Sequence, residues 1–197
     1  TLQVIEGNLN SISKVISEAD QGIYDAMNKA IKISTGDYLL FMNAGDTFCD
    51  SKTLSQMAEH LHDDPAVLYG DRYYVALDGA SERQNSKPVE QIFERMPYCH
   101  QAALTKTTSL REHLFNTTYK YAADYNQVVQ IYRAGERFKK IDLPICNFTA
   151  GGKSESGIRP YLEVLKIQFD NCSDNDTIKD SMYFKAFKNN VDHLLDI

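Results

Sequence analysis

A carboxylate at the tip of a tight loop, Asp46 in "NAGD", is the first residue of this chain whose setting suits chemistry. Gly45 lets the backbone turn sharply beside whatever binds there. A single carboxylate can hold Mg2+ or Mn2+ when a substrate diphosphate supplies further oxygens, because such ions keep several non-protein ligands. The ion would then offset charge building on a departing phosphate. The same residue types also make a plain Asx-type turn between Asn43 and Asp46, and the loop taken alone favours that simpler reading.

Other polar residues admit two readings each. In "SEADQGIYDAMNKA", Glu18 and Asp20 are either solvated or grip ligand hydroxyls, Asp20 can cap the helix that follows, and the free amides of that helix end can receive an anion. His100 and Gln101 sit at a strand end, positioned to bind acceptor hydroxyls or a diphosphate, although a solitary histidine is more often a hydrogen-bonded structural group. Gly151, Gly152 and Ser154 form either a flexible lid with Lys153 and Arg159 offering charge to phosphate, or an ordinary turn.

These residues need elements to position them. Met27, Ala30 and Ile31 recur at helical spacing, which predicts a helix over residues 24–35 stopped by a left-handed Gly36. "DYLLFMN" has too few polar residues for a half-exposed strand and predicts a central strand covered on both faces. "SKTLSQMAEHLHDD" predicts a helix with Leu54, Met57, Ala58 and Leu61 on one side and Ser51 near its cap, ended by Pro65. "AVLYGD" follows as a strand, Asp78-Gly79 signals a hairpin, and "HQAALTK" is another short strand. "AADYNQVVQIYRAG" is a helix stopped by Gly135, "RFKKIDLPICNF" a strand, and the remainder two helices separated by "NCSDNDT". Alternating helices and strands with one hairpin argue for an open α/β sheet flanked by helices, with ligands beyond the carboxyl ends of the strands.

Bulk properties narrow the class. The 197 residues suffice for a sizeable domain, and 21 basic against 27 acidic residues give a net charge of −6 without long blocks of either sign. That excludes a nucleic-acid-binding surface, while a local basic pocket for phosphate stays open. Cys49, Cys99, Cys146 and Cys172 lack CxxC or zinc-type spacing and read as reduced, mostly buried thiols of a cytoplasmic protein. No run reaches the roughly 18 apolar residues of a membrane span. The tail "SMYFKAFKNNVDHLL" gathers Tyr183, Phe184, Phe187, Val191 and Leu194 near one helical face, with Lys185 and Lys188 at its edges. Packing on the domain or on a second subunit is the favoured use, and peripheral contact with the inner face of the plasma membrane the alternative.

In combination, "SEADQGIYDAMNKAIKISTGDYLLFMNAGD" resembles the glycosyltransferase family 2 pattern SE-x-D-x-GIYDAMNKG followed by FLNAGD, found in bacterial enzymes of surface-polysaccharide assembly. "MPYCHQAAL", "YKYAADYNQVVQIYRAG" and "FTAGGKS" resemble further family segments in family order. The resemblance covers residues 1–156 and implies a GT-A fold: an open mixed sheet flanked by helices, with 157–197 as a C-terminal helical extension. It implies an inverting glycosyltransferase that moves a sugar from a nucleotide-diphosphate donor, UDP-linked, to a saccharide or lipid-linked acceptor in bacterial surface-polysaccharide biosynthesis.

By that resemblance Asp46 ends the loop for metal (Mn2+ or Mg2+) and diphosphate, and Glu18, Asp20, Asn28 and Asn43 join it on the donor. His100, Gln101 and Lys153 contact acceptor or diphosphate. Asp124 matches the catalytic base, and its chemistry is sensible because a carboxylate facing an acceptor hydroxyl can take its proton as the sugar bond forms. Outside the family argument, Asp124 is as well explained as a helix N-cap. Asn43 and Gly45 stand where many relatives carry aspartates, which thins the acidic loop and keeps a non-catalytic nucleotide-sugar-binding or scaffolding subunit as the alternative. The family's opening strands are absent ahead of Thr1, so roughly one βαβ unit of about 35 to 40 residues is expected upstream.

Overall fold

The computed structural model describes residues 2–151 and 158–195. In chain order the elements are α1 (Leu2–Glu6), α2 (Ile23–Ile33), β1 (Tyr38–Leu39), β2 (Thr47–Phe48), α3 (Thr53–Ala58), β3 (Val67–Val75) and β4 (Ser81–Gln84). They continue as β5 (Ala103–Lys106), α4 (Thr107–Glu112), α5 (Ala123–Arg133), β6 (Phe138–Thr149), α6 (Arg159–Asn171), α7 (Asn175–Asp180) and α8 (Met182–Leu195). The strands form one mixed sheet in the order β1-β5-β3-β6-β2, and β4 pairs with the outer half of β3. Among the described strands only β3 and β6 run parallel; the other pairs are antiparallel.

β3 is the centre of the sheet because its apolar run serves both faces. Val67 and Tyr69 pack under α5 and α6 with Val129, Ile131, Val164 and Ile167. Leu68 points the other way, to Met57 of α3 and to Ile145 and Cys146 of β6. Side chains alternate across a strand, so a continuous apolar run needs cover on both sides. A third cluster joins Met27 and Ile31 of α2 to Leu110, Phe115 and Ala123.

At Gly70 the register between β3 and β6 shifts. A Cβ there would lie 2.4 Å from the carbonyl oxygen of Leu143 and 2.8 Å from Ile145 Cδ1, so only glycine admits this approach. The hairpin expected at Asp78-Gly79 forms, with Gly79 at φ 86° and Asp78 accepting from the amide of Ala80.

Several expectations need correction. The "DYLLFMN" strand lies at the sheet's edge among the described residues rather than at its centre. Its apolar character arises because Leu39 and Phe41 meet the α2 cluster while Leu40 and Met42 meet the α3 cluster. Helix α2 stops at Ser34, whose backbone turns extended, and Gly36 is not left-handed. In α3 the residue turned inward beside Met57 is Thr53; Leu54 is exposed, and Asp50 rather than Ser51 binds the helix start, accepting from the amide of Lys52. The tail holds three helices, because Asp174 caps α7 inside the segment expected to be a loop. Among the cysteines only Cys146 is buried; Cys49, Cys99 and Cys172 are partly exposed, and all four are free thiols. No described helix is long and apolar enough to cross a membrane.

Candidate active site

A cleft of about 1120 Å³ opens between the amino end of α2, the β3–β4 arm, the 95–101 segment and the amino end of α5. Asp124, His100, Gln101 and Asn43 all line it. Asp124 is the second residue of α5, not its N-cap; that place falls to Ala122, whose side chain cannot cap. The missing cap comes from α6. Glu163 accepts from the amides of Lys120 (2.8 Å), Tyr121 (2.8 Å) and Ala122 (3.0 Å), holding the two residues that lead into the helix and the donor at its cap position. Asp124 itself takes a first-turn amide, that of Tyr125, through Oδ1 alone.

The Asp124 carboxylate is held on one side only. Its Oδ1 accepts from the Tyr24 hydroxyl at 3.2 Å and from the Tyr125 amide at 2.9 Å, and Oδ2 has no partner among the described residues. Burial and the Asp124 charge push the Tyr24 phenol far up, so Tyr24 stays a donor at any physiological pH. It also donates to the Tyr121 carbonyl, tying α2 to the start of α5.

Asp46 does not itself line the cleft, but Gln101, which grips it, does. Gln101, buried at 4% exposure, donates from Nε2 to Asp46 Oδ2 at 2.9 Å, and the Thr149 amide donates to Oδ1 at 3.0 Å. The turn between Asn43 and Asp46 closes through the backbone and is not of the expected Asx type, with the Asp46 amide donating to the Asn43 carbonyl and Gly45 at φ 101°. Each carboxylate oxygen has two lone-pair directions, so one on each remains for a ligand. As a metal site Asp46 therefore fits the single-carboxylate arrangement, in which diphosphate oxygens complete the shell. The group of described residues with ligand atoms close enough to hold an ion is elsewhere, at Glu112, His113 and Glu136, and none of these lines the cleft.

His100 stacks on Phe41, centroids 5.4 Å apart, and meets Phe115 edge-on. Burial lowers its pKa while the Asp124 charge opposes the shift, so the ring is neutral at pH 7 and offers a hydrogen bond rather than a charge. Cys99 donates to Gln101 Oε1 at 3.0 Å and receives Arg72 Nη1 at 3.4 Å. Arg72 lies over the Phe148 ring, 4.4 Å from its centroid, and forks onto Gln84. Arg72, Glu163, Tyr24 and Cys99 escaped sequence reasoning. Tyr24 stood inside the quoted motif, whereas nothing local marks Glu163, which lies 41 to 43 residues from the amides it binds.

The remaining expected site residues behave otherwise. Asn28 ties α2 to the 115 segment: its amide nitrogen donates to the Phe115 carbonyl and its oxygen accepts from the Phe115 amide, and it does not line the cleft. Glu18 pairs with Lys29 on the surface, and Asp20 accepts from the Gly22 amide; neither lines the cleft. Lys153, Gly152 and Ser154 fall outside the described residues.

A mixed sheet whose strand ends and helix starts wall a cleft of this kind is the GT-A arrangement. Over 96% of this chain and 58% of the other, the fold matches S. aureus TarS 1-349 with a TM-score of 0.63 at 20% identity. The same protein in complex with UDP matches with a TM-score of 0.64 at 19% identity, again over 96% of this chain and 58% of that one. Residues 1–135 match the model of Glycosyl transferase family 2, and the chain belongs to that family. A PGL/p-HBAD biosynthesis glycosyltransferase of Mycobacterium tuberculosis (strain ATCC 25177 / H37Ra) is 30% identical over 121 residues, 60% of this chain and 44% of the relative. The amylovoran biosynthesis glycosyltransferase AmsB of Erwinia amylovora is 25% identical over 193 residues, 90% of this chain and 64% of the relative. The chain thus spans less than half the length of the mycobacterial relative.

Proposed function

We propose that this protein is an inverting glycosyltransferase that moves a sugar from a UDP-linked donor to a saccharide or lipid-linked acceptor in bacterial surface-polysaccharide biosynthesis, on the cytoplasmic side of the membrane. The observation that carries the reading is a single cleft. Asp124 enters it with one free carboxylate oxygen, and Gln101, which grips Asp46, lines the same space. Family membership, the names of the relatives and the likeness to a UDP-bound protein support the donor and the pathway class. Four unpaired thiols suit a reducing compartment.

In this reading Asp124 Oδ2 accepts the proton of the acceptor hydroxyl while its oxygen attacks the anomeric carbon. The bond from that carbon to the diphosphate breaks, the diphosphate leaves from the opposite face, and the anomeric configuration inverts. Tyr24 fixes the carboxylate through Oδ1 so that the other oxygen faces the acceptor. Asp46 is the residue that would hold Mn2+ or Mg2+, and the bound ion would neutralise charge on the leaving diphosphate. Gln101 and the Thr149 amide orient Asp46 for that task. His100, neutral and stacked, offers a hydrogen bond to a sugar hydroxyl.

The test is Asp124→Asn in the full-length protein. Transfer should fall by about 10² to 10⁴ while UDP affinity stays within twofold. Unchanged turnover removes Asp124 from the chemistry. Donor binding by the wild-type protein without transfer to any of a broad acceptor panel would instead favour a non-catalytic sugar-nucleotide-binding subunit.

A further inference from the structure

We infer that the acceptor carries an oxyanion, a phosphate or a carboxylate, which Arg95 and Lys87 bind on the Asp124 side of the cleft; this rests on the transferase reading above. The charge of the cleft is the starting point. The chain as a whole is acidic, at −6, yet Arg72, Arg83, Lys87, Arg95 and Lys120 line this one space against the carboxylates of Glu82 and Asp124. A surface that reverses the protein's overall sign at its binding cleft selects anionic ligands.

Three of the five cations are already engaged within the fold. Arg83 bonds the buried carboxylate of Asp71 and also reaches Asp142. Arg72 is held by Gln84, Cys99 and the Phe148 ring, at the Gln101–Asp46 end of the cleft where the donor diphosphate belongs. Lys120 donates to the Thr117 carbonyl. Lys87 and Arg95 are different: neither makes an ion pair among the described residues, and Arg95 Nε is shut away from solvent without an acceptor. A buried donor left open in this way is rare in folded proteins and points to a group that is supplied from outside.

The backbone brings Lys87 and Arg95 to one stretch of the cleft wall, which Tyr183 links to the start of α5. The Lys87 amide donates to the Pro97 carbonyl at 2.6 Å, which places Lys87 against the segment that carries Arg95. The next residue, Met96, donates its amide to the Tyr183 hydroxyl at 2.8 Å, and the Tyr183 ring lies 5.8 Å from that of Tyr125, which follows Asp124 in α5. Arg95 and Asp124 both influence the Tyr183 phenol, which fits their flanking of one stretch of wall. A neutral sugar chain would leave two unpaired cations and an open donor against hydroxyl groups. An oxyanion answers all three, with the guanidinium presenting a fork and the ammonium a point charge.

The experiment uses the full-length protein saturated with UDP and measures binding of three probes of equal length by calorimetry: a glycerol phosphate oligomer, an oligogalacturonate and a neutral maltooligosaccharide. At least one anionic probe should bind at least about tenfold more tightly than the neutral one, and its affinity should fall with added salt. Which anionic probe prevails distinguishes a phosphate from a uronate source. Arg95→Gln and Lys87→Gln, each confirmed as folded by its melting curve, should each weaken the anionic probe about tenfold without weakening UDP. Equal binding of the three probes beside bound UDP, no binding of either anionic probe, or full affinity in both variants would overturn the inference while leaving the transferase reading intact. Failure of UDP itself to bind would overturn that reading, and this inference with it.

Discussion

Replacing Glu163 tests how the fold presents its proposed base. This one carboxylate accepts three backbone amides ahead of α5, where Ala122 offers no side-chain cap. Losing an ordinary cap costs about 0.5–2 kcal/mol. Glu163 serves more amides than an ordinary cap and adds a negative charge at a helix amino end, but it is half-exposed, so water replaces part of what is lost. For Glu163→Ala the expected loss is therefore about 2 kcal/mol, and for Glu163→Gln, which keeps an acceptor oxygen, about 1 kcal/mol. In a chain of this size the alanine variant should melt about 4–8 °C lower. Because Asp124 lies in the first turn that Glu163 organises, kcat should also fall, about tenfold in the alanine variant and less in the glutamine variant. UDP affinity should not change, since the contacts of Asp46 come from Gln101 and Thr149 and not from α6. Thermal melts, kcat and UDP titration read the three quantities separately. An alanine variant that melts with the wild type and turns over normally refutes the capping argument; an equal loss of UDP affinity refutes the claim that the effect is local to Asp124.

Three further outcomes follow from the geometry. Gly70→Ala should destabilise by about 1–3 kcal/mol in denaturant titration, because the new methyl meets the Leu143 carbonyl, a backbone atom that cannot rotate away. Burial alone would raise the pKa of Asp71, but the Ser86 amide and hydroxyl and the Arg83 fork outweigh it and hold the carboxyl below its usual range. A carboxyl depressed in the fold stabilises above its unfolded pKa and loses that contribution as pH falls through the folded value. The stability advantage of wild type over Asp71→Asn should accordingly be full at neutral pH and shrink below about pH 4. A Cys146 hydrogen bond and the nearby Arg72, against the opposing effect of burial, lower the pKa of the Cys99 thiol. Its alkylation by iodoacetamide should rise with pH, and Arg72→Ala should move the midpoint of that rise to higher pH.

How far the amino-acid sequence carries can be seen residue by residue. The α2 stripe of Met27 and Ile31, the Asp78-Gly79 hairpin and the α5 helix ending at Gly135 were all legible, because each depends on local periodicity or on a turn that only certain residues make. Asp124, His100, Gln101 and Asn43, singled out by the family pattern, line one cleft. Failures arose where a partner distant in sequence decided the outcome. "DYLLFMN" looked central because it meets apolar side chains on both faces, and composition does not register which strands bond to its edges. Asn28 looked polar and available, yet Phe115 takes both ends of its amide. Glu163 looked like one surface acid among many on an amphipathic helix, and only the packing of α6 against α5 brings it to the helix start.

The central claim is that Asp124, inside the cleft, and Asp46, held beside it by the cleft-lining Gln101, serve opposite ends of one reaction. A crystal structure of the full-length protein with UDP and Mn2+ tests it most directly. The expected result has the diphosphate beside the Asn43–Asp46 loop, Asp46 bound to it through the ion, and Asp124 across the cleft with Oδ2 open to the acceptor. A diphosphate seated away from Gln101 and Asp46, or lying against Asp124 itself, would contradict the account.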